Sequence, residues 1–195
     1  LRNVPTHLLV AQGDQSAAIY GQGGLETGLA HVNLGTGGFV LKMTTGKDRS
    51  TPLLRSIGRS WTERPLRQSA VECILEGTIN GCGAALAWAA DRRGRSVNAA
   101  NIDRWLQAAY SVTGSEVENV PLFLNTIGGL GSPFWKSGPA ADWVDEDGSP
   151  RAVDDTLAML SVLESILFLV TANLRAMHDA GDGTAWEPVA GLRVT

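Results

Sequence analysis

Cysteine, histidine and long apolar runs are all scarce in this 195-residue chain. Two cysteines, Cys73 and Cys82, are too few for a disulfide framework or a zinc site, and we expect both to be small buried residues. The three histidines show no i, i+4 pairing, which argues against metal ligation. The longest apolar run, residues 166–170, is far too short to cross a bilayer, and no signal peptide is visible. We therefore predict a cytoplasmic protein with no membrane partner and no metal bound by its side chains.

The charge balance is mildly acidic, with 16 basic and 20 acidic residues and a net charge of -4. Nucleic-acid binding calls for basic patches, so we expect no nucleic-acid partner. The 23 glycines cluster in turns, which favours an α/β chain with tight loops over a plain helical bundle. The chain begins abruptly and ends in a strand-like segment, 191–195, so we expect a fragment of a longer protein.

Two short stretches carry the candidate chemistry, and the first is Gly13-Asp14-Gln15. Residues 7–12 are predicted to form a buried strand, which would put Asp14 at its carboxyl edge, where open α/β sheets place their chemistry. A short helix is predicted at 16–20, so Asp14 could simply cap that helix. Spacing alone leaves both roles open, a capping residue and a base.

The second stretch is the glycine turn Gly35-Thr36-Gly37-Gly38, between predicted paired strands at 30–34 and 39–43. Glycines at a hairpin tip allow positive φ and let a ligand approach the backbone closely. Exposed amides in such a turn form an anion-binding nest, to which the Thr36 hydroxyl can add a donor. Glycine hairpins without any ligand are common, so this pattern alone does not establish a phosphate site.

The rest of the sequence predicts helices and strands that support these two stretches. A helix is predicted to begin at Ser149-Pro150 and to end at Gly181, with a buried stripe that includes Leu167. A dinucleotide fingerprint, a Walker loop and a nucleophile elbow are all absent from the sequence. The other predicted elements are strands at 53–61, 121–124 and 186–194, helices at 79–90 and 101–110, and an ambiguous, strand-like segment at 70–77.

Five segments, in order along the chain, resemble the FGGY carbohydrate kinase family, and its glycerol kinases most of all. Each is weak alone, but their common order makes the resemblance specific. They are Gly13-Asp14-Gln15-Ser16-Ala17-Ala18 with Gly21-Gln22, Gly35-Thr36-Gly37-Gly38-Phe39, Leu75-Glu76-Gly77 with Gly81-Cys82-Gly83, Gly129-Leu130-Gly131-Ser132-Pro133-Phe134-Trp135, and Leu163-Glu164-Ser165-Ile166.

The resemblance implies an α/β fold of the ribonuclease-H-like kind found in actin- and hexokinase-type ATPases, here incomplete. Residues 1–22 would be the C-terminal end of a first, substrate-side domain, and residues 23–195 most of a second, nucleotide-side domain. The implied activity is ATP-dependent phosphorylation of a polyol or sugar hydroxyl, with Mg²⁺ as the second cofactor. The first phosphate loop and a metal-binding aspartate would lie outside this sequence.

Carried over position by position, the resemblance gives Asp14 the role of the general base and of a substrate ligand. A correctly placed carboxylate suffices as the base, because phosphoryl transfer depends mainly on alignment and charge neutralisation. Gln15 would bind substrate hydroxyls, and Phe39 would lie against the carbon face of the substrate. The implied ATP-binding residues are Gly35, Thr36, Gly37 and Gly83.

Several positions depart from the family pattern. Leu34 stands where tyrosine is usual, Ala87 replaces a nucleotide-holding glutamine, and segments 125–126 and 142–145 also differ. The acceptor could therefore be a polyol or sugar other than glycerol, and the alternative is a non-catalytic FGGY-fold binding or regulatory protein. We expect the isolated chain to be inactive, with Asp14 exposed to solvent. The resemblance allows a homodimer or homotetramer.

Overall fold

A five-stranded sheet forms the centre of the computed structural model, which describes residues 13–21, 23, 29–44, 50–63, 68–111, 120–181 and 191–194. The strands are β1 (Leu29–Leu34), β2 (Gly38–Thr44), β3 (Leu54–Glu63), β4 (Gln68–Ile79) and β7 (Gly191–Val194), in the spatial order β3-β4-β2-β1-β7. Strand β7 runs parallel to β1, and the other neighbours are antiparallel. Strands β5 (Leu122–Phe123) and β6 (Trp143–Val144) form a separate pair.

Four helices accompany these strands in the described residues: α1 (Asp14–Gly21), α2 (Gly83–Arg92), α3 (Ala99–Ser111) and α4 (Asp155–Ala180). The predicted hairpin at 30–43, the helix at 16–20 and the helix at 101–110 are confirmed within one to two residues. The ambiguous segment 70–77 is a strand, as its alternating Val71, Cys73 and Leu75 indicated. The predicted strand 7–12 and the first part of the predicted strand 186–194 lie outside the described residues.

Side chains alternate between the two faces of the sheet, and each face has its own apolar cluster. The core face carries Val32, Val40, Leu75 and Ile79, which pack in one large cluster with α2 and α4. The opposite face, called here the α1 face, carries Leu41 and Ile74, which pack with Ile19 of α1. Helix α1 is also held by the Tyr20 hydroxyl, which donates to the Gly58 carbonyl at 3.0 Å.

Helix α4 begins later than predicted. Its N-cap is Asp154, whose side chain accepts hydrogen bonds from the Thr156 and Leu157 amides, so the predicted start at Ser149-Pro150 was wrong. The predicted stripe was also wrong at Leu167, which is 59% exposed, because the buried face instead includes the polar Ser161, Ser165 and Asn173. By length and composition alone α4 could span a membrane, but its buried face packs on the sheet as a core helix does.

Helix α2 also begins later than predicted. Ile79 still belongs to β4, where it pairs with Gly38, and three residues separate it from the first residue of the helix. The apolar run through Ile79 is therefore the end of a buried strand rather than the first turn of a helix. This turn places the start of α2 next to the β1–β2 hairpin.

Candidate functional site

Asp14 is the first residue of α1, and it is exposed as predicted. Its Oδ1 accepts a hydrogen bond from the Gln15 amide at 2.8 Å, while the Gly13 carbonyl accepts from the Ala17 amide at 2.9 Å. The carboxylate therefore acts as a partial helix cap, because it accepts a hydrogen bond from an amide that has no partner inside the helix. The second carboxylate oxygen has no hydrogen-bond partner among the described residues, so the capping role and the base role are compatible.

Gln15 is half-buried, and its Oε1 has no hydrogen-bond partner among the described residues although it is shielded from solvent. A buried carbonyl oxygen without a donor is costly, and such groups usually have a partner. A hydroxyl-bearing ligand would supply the missing donor. The role predicted for Gln15, binding of substrate hydroxyls, stays a prediction, and this unpaired oxygen is consistent with it.

Phe39 lies on the same face of the sheet as α1. It is half-buried and packs against the cluster formed by Ile19, Leu41 and Ile74. The strand alternation explains this, because Phe39 and Leu41 are two residues apart on β2 and so share a face. The helix that begins with Asp14 and the aromatic ring therefore lie on one side of the sheet.

The glycine turn at residues 35–37 sits against the first turn of α2. The amides of Gly83 and Ala84 donate to the carbonyls of Gly35 and Thr36, each at 2.9 Å, and the Cys82 amide donates to Thr36 at 3.3 Å. The N-cap residue Cys82 makes no side-chain capping bond, so the hairpin carbonyls satisfy amides that would otherwise lack partners. The positive end of the α2 dipole thus lies beside the turn, where it favours a bound anion.

The glycines of the turn serve close approach of the backbone, and they do not use the positive φ that glycine allows. Positive φ occurs at Gly128 and Gly129 in the later loop, but not at Gly35, Gly37 or Gly38. A Cβ on Gly83 would lie 2.8 Å from the Gly35 carbonyl oxygen. A Cβ on Gly37 would lie 3.0 Å from the Ile79 carbonyl oxygen. Packing alone explains both residues, and their contact with ATP stays a prediction.

The atoms of the turn that remain available for a ligand are few. The Gly35 amide donates to the Gly37 carbonyl at 2.8 Å and is therefore not directed at a ligand. Thr36 is exposed, and its hydroxyl makes no hydrogen bond with the described residues. Among the predicted ATP-binding residues, Thr36 is thus the one with a side-chain donor available at the tip.

Buried polar side chains, which sequence reasoning missed, fix the loop at 128–135 to the end of β4. Asn173 is fully buried, and its Nδ2 donates to the Ser132 carbonyl at 3.0 Å, while the Ser132 hydroxyl donates to Asn173 Oδ1 at 2.7 Å. The Ser132 hydroxyl also accepts from the Thr78 amide. Asn80 donates to the Gly128 carbonyl at 2.9 Å. These bonds hold the strand end from which the turn into α2 departs.

Glu76 is a second acidic residue near Asp14, and it was not predicted as a site residue. It lies on β4 directly opposite Leu41, so its side chain belongs to the α1 face. Burial, and secondarily the negative charge of Asp14, raise the pKa of Glu76. The sequence contained this residue within the Leu75-Glu76-Gly77 segment, but nothing in its spacing connects it with Asp14, sixty-two positions earlier.

Solved structures that share this fold are kinases of small hydroxyl compounds. The glycerol kinase of Plasmodium falciparum with ADP superposes with a TM-score of 0.71 at 21% identity, covering 93% of this chain and 33% of that one. A xylulose kinase from Brucella ovis superposes with a TM-score of 0.67 at 19% identity, covering 94% and 33% of the two chains. The predicted fold class, the α/β fold of actin- and hexokinase-type ATPases, is confirmed.

The sequence matches the C-terminal domain of the FGGY family of carbohydrate kinases over residues 30–190, and the chain belongs to this family. The chain is 32% identical over 174 residues to the glycerol kinase of Citrifermentans bemidjiense. The aligned region covers 89% of this chain and 32% of that protein. The chain thus spans about a third of the length of the curated relatives it matches. The predicted family is confirmed, while the domain boundary at 22/23 stays a prediction.

Proposed function

We propose that the full-length protein carrying this chain phosphorylates a polyol or sugar hydroxyl at the expense of ATP. The observation that carries the proposal is the shared face of the sheet, where Phe39 packs against Ile19 of the helix that begins with Asp14. The glycine turn that the family resemblance assigns to nucleotide precedes Phe39 by two residues on the same hairpin. In this proposal the base, the substrate-stacking ring and the phosphate turn belong to one site.

In this proposal each residue has a separate task. Asp14 takes the proton of the attacking hydroxyl, for which an exposed carboxylate is suited. The unpaired Gln15 carbonyl accepts a hydrogen bond from a second hydroxyl and so fixes the orientation of the acceptor. The Phe39 ring covers the carbon face of the acceptor and excludes water from it.

The residues near the turn fit a nucleotide phosphate but not a metal ion. The Thr36 hydroxyl and the dipole of α2 offer a donor and positive potential, and ATP supplies the phosphoryl group when it is bound there. Across the described ranges, no group of three or more His, Cys, Asp and Glu could hold a metal ion. In this proposal Mg²⁺ comes with ATP, and the family resemblance places its aspartate ligand outside this sequence.

The relatives suggest the class of acceptor without fixing its identity. Glycerol and xylulose are the acceptors that the names of the compared kinases give, so both belong in a first panel. Leu34, the departure from the family pattern, pairs with Gly38 and so lies on the opposite face from Phe39. A small-molecule acceptor, rather than a nucleic acid, accords with the acidic net charge of -4.

The test is the Asp14→Asn variant of the full-length gene product, assayed for phosphorylated product with ATP-Mg²⁺ and the panel. We expect a loss of at least about a hundredfold in kcat with the fold unchanged, as for removal of a general base. Circular dichroism and thermal unfolding serve as the check on folding. Turnover near that of the unsubstituted protein would refute the role of Asp14.

A second candidate, a non-catalytic FGGY-fold binding or regulatory protein, is favoured by Ala87. This residue is exposed on α2, where the family usually places a glutamine that contacts nucleotide. Isothermal titration calorimetry with ATP and with each acceptor separates the two functions. Binding without product formation supports this second function, whereas product formation supports the kinase.

A further inference from the structure

We propose that the outer side of helix α4 is a dimer interface, where two copies of this protein pack their α4 helices antiparallel about a twofold axis. The residues that form it, called here the outer stripe, are Glu164, Leu167, Phe168, Thr171 and Arg175. Helix α4 packs on the core face of the sheet, opposite α1, so this pairing does not depend on the proposed function.

The outer stripe lies along one side of α4. Its members follow one another at spacings of three or four residues, with Leu167 and Phe168 adjacent, which places them on one side of a helix with 3.6 residues per turn. Leu167 and Phe168 are 59% and 60% exposed, Thr171 and Arg175 are also exposed, and Glu164 is half-buried. The stripe is therefore the side of α4 that the sheet does not cover.

The centre of the outer stripe is apolar. Leu167 and Phe168 are large exposed side chains, and Phe168 also lines an apolar groove of about 290 Å³ together with Leu130 and Phe134. The Thr171 hydroxyl donates to the Leu167 carbonyl at 2.8 Å, so its polar atom is already bonded within the helix. An exposed apolar patch of this kind is typical of a surface that binds another protein.

The two charged residues at the ends of the outer stripe lack a partner in the described part of the chain. Burial raises the pKa of Glu164, and neither Glu164 nor Arg175 makes an ion pair or a hydrogen bond with another described residue. The other acidic residues of α4, Asp155 and Asp179, each contact a basic side chain. Glu164 and Arg175 are thus the charges of α4 that are free to pair with another molecule.

The order of these charges favours a second copy of this chain as the partner. Glu164 and Arg175 are eleven residues apart, and the midpoint between them lies between Phe168 and Thr171. Each charge is therefore about 8 Å along the helix axis from that midpoint.

A twofold axis at the midpoint pairs the two stripes with each other. It brings Glu164 of each copy opposite Arg175 of the other, and Phe168 opposite Thr171. A shallow crossing of about 20°, which is common for antiparallel helices, keeps both charge pairs within reach. The stripe is thus complementary to itself, a property that binding to an unrelated surface does not require.

The first measurement is the dimerisation constant of the full-length gene product, taken from sedimentation velocity over a wide range of protein concentration. Glu164→Arg alone and Arg175→Glu alone each place like charges opposite one another twice, so each should weaken the dimer by roughly tenfold or more. The double variant restores opposite charges and should return the constant to within about threefold of the unsubstituted protein.

The matched control for these charge changes is Arg104→Glu. Arg104 is exposed on α3 and lies outside the outer stripe, so this substitution makes the same change of charge on a neighbouring helix. It should leave the dimerisation constant unchanged.

The second measurement removes the apolar centre with Phe168→Ser, which should weaken the dimer by roughly thirtyfold or more. At concentrations far below the dimerisation constant, unfolding reports on the monomer alone. Because Phe168 is exposed in the single chain, thermal unfolding of the dilute variant should be nearly unchanged.

Each outcome decides for or against the interface. Loss of the dimer in both single charge variants with recovery in the double variant supports the antiparallel pairing, and loss without recovery overturns it. A full-length protein that is monomeric at every concentration, or a dimer that persists in all these variants, also overturns it. A large loss of thermal stability in dilute Phe168→Ser would mean that another part of the same polypeptide covers the stripe, and this result too contradicts the proposal.

Discussion

The two faces of the five-stranded sheet are covered very differently. The core face packs against α2 and α4 in a large continuous cluster, reinforced by the buried polar side chains of Asn173, Ser132 and Asn125. Among the described residues, the α1 face has a cluster of three buried residues, one of which is Ile19 of the eight-residue helix α1, and Asp14 on that helix is exposed. One face thus supplies most of the stability, while the other can hold half-buried polar groups at a site.

The largest expected effect is on the core side, at Gly131. A Cβ there would collide with the backbone carbonyl of Thr78, which cannot move without displacing β4. We expect Gly131→Ala to destabilise the full-length gene product by about 3 kcal/mol or more in chemical denaturation. Gly21→Ala on α1, where a Cβ would meet nothing within 4 Å, should change stability by less than about 0.5 kcal/mol. Equal effects would contradict the contrast between the faces.

The next largest effect should come from Asn173→Ala. It leaves the Ser132 hydroxyl and carbonyl without their buried partner, at an expected cost of about 2–3 kcal/mol. The matched control is Leu167→Ala on the same helix, which is 59% exposed and should cost less than about 0.5 kcal/mol. A double-mutant cycle with Ser132→Ala should give a coupling of about 1 kcal/mol, and additive effects would show that the two side chains act separately.

A smaller effect is expected on the α1 face from Ile19→Ala. This residue is 1% exposed, but its cluster is small and lies at the surface, so the loss should be near about 2 kcal/mol, the lower end for such a truncation. Hydrogen exchange should become faster at the α1 amides and stay unchanged in α4. Faster exchange throughout the molecule would mean that both faces unfold as one unit.

The smallest effect concerns the pH dependence of stability. Burial raises the pKa of Glu164, so the folded state binds its proton more tightly and stability falls as the pH rises from the ordinary range of a glutamate through the raised value. Glu164→Gln should therefore be slightly more stable at neutral pH, by less than about 0.5 kcal/mol, and should show a weaker pH dependence in thermal unfolding. A loss of stability at neutral pH would indicate that the carboxylate makes a favourable contact.

Local sequence pattern predicted those elements whose signals are themselves local. The hairpin around Gly35-Thr36-Gly37 and helix α3 were found because a glycine turn and a short amphipathic period need no tertiary information. The start of α4 was misplaced because Ser149-Pro150 has the chemistry of a helix start, whereas Asp154 supplies the bonds that cap the helix. The buried face of α4 was misjudged because Asn173 and the two serines are buried for their hydrogen bonds.

The candidate site was predicted in its parts and not in its connections. The family resemblance supplied Asp14, Gln15 and Phe39, and the structure brings the aromatic ring to the same face as α1. The neighbourhood of Glu76 and Asp14 could not be predicted, because it depends on strand register and on how α1 lies across the sheet. The glycines 37 and 83 were predicted as ligand contacts, although backbone packing already requires them to be glycine.

The bonds from Gly83 and Ala84 to the hairpin carbonyls have a mechanical consequence. A loop tip normally loses conformational freedom when a ligand orders it, and that loss weakens binding. Here the tip is bonded to the start of a ten-residue helix, so we expect the turn and the helix to move as one rigid unit. Any displacement of α2 would carry the Thr36 hydroxyl along with it, and an arriving anion would meet a surface whose shape is already set.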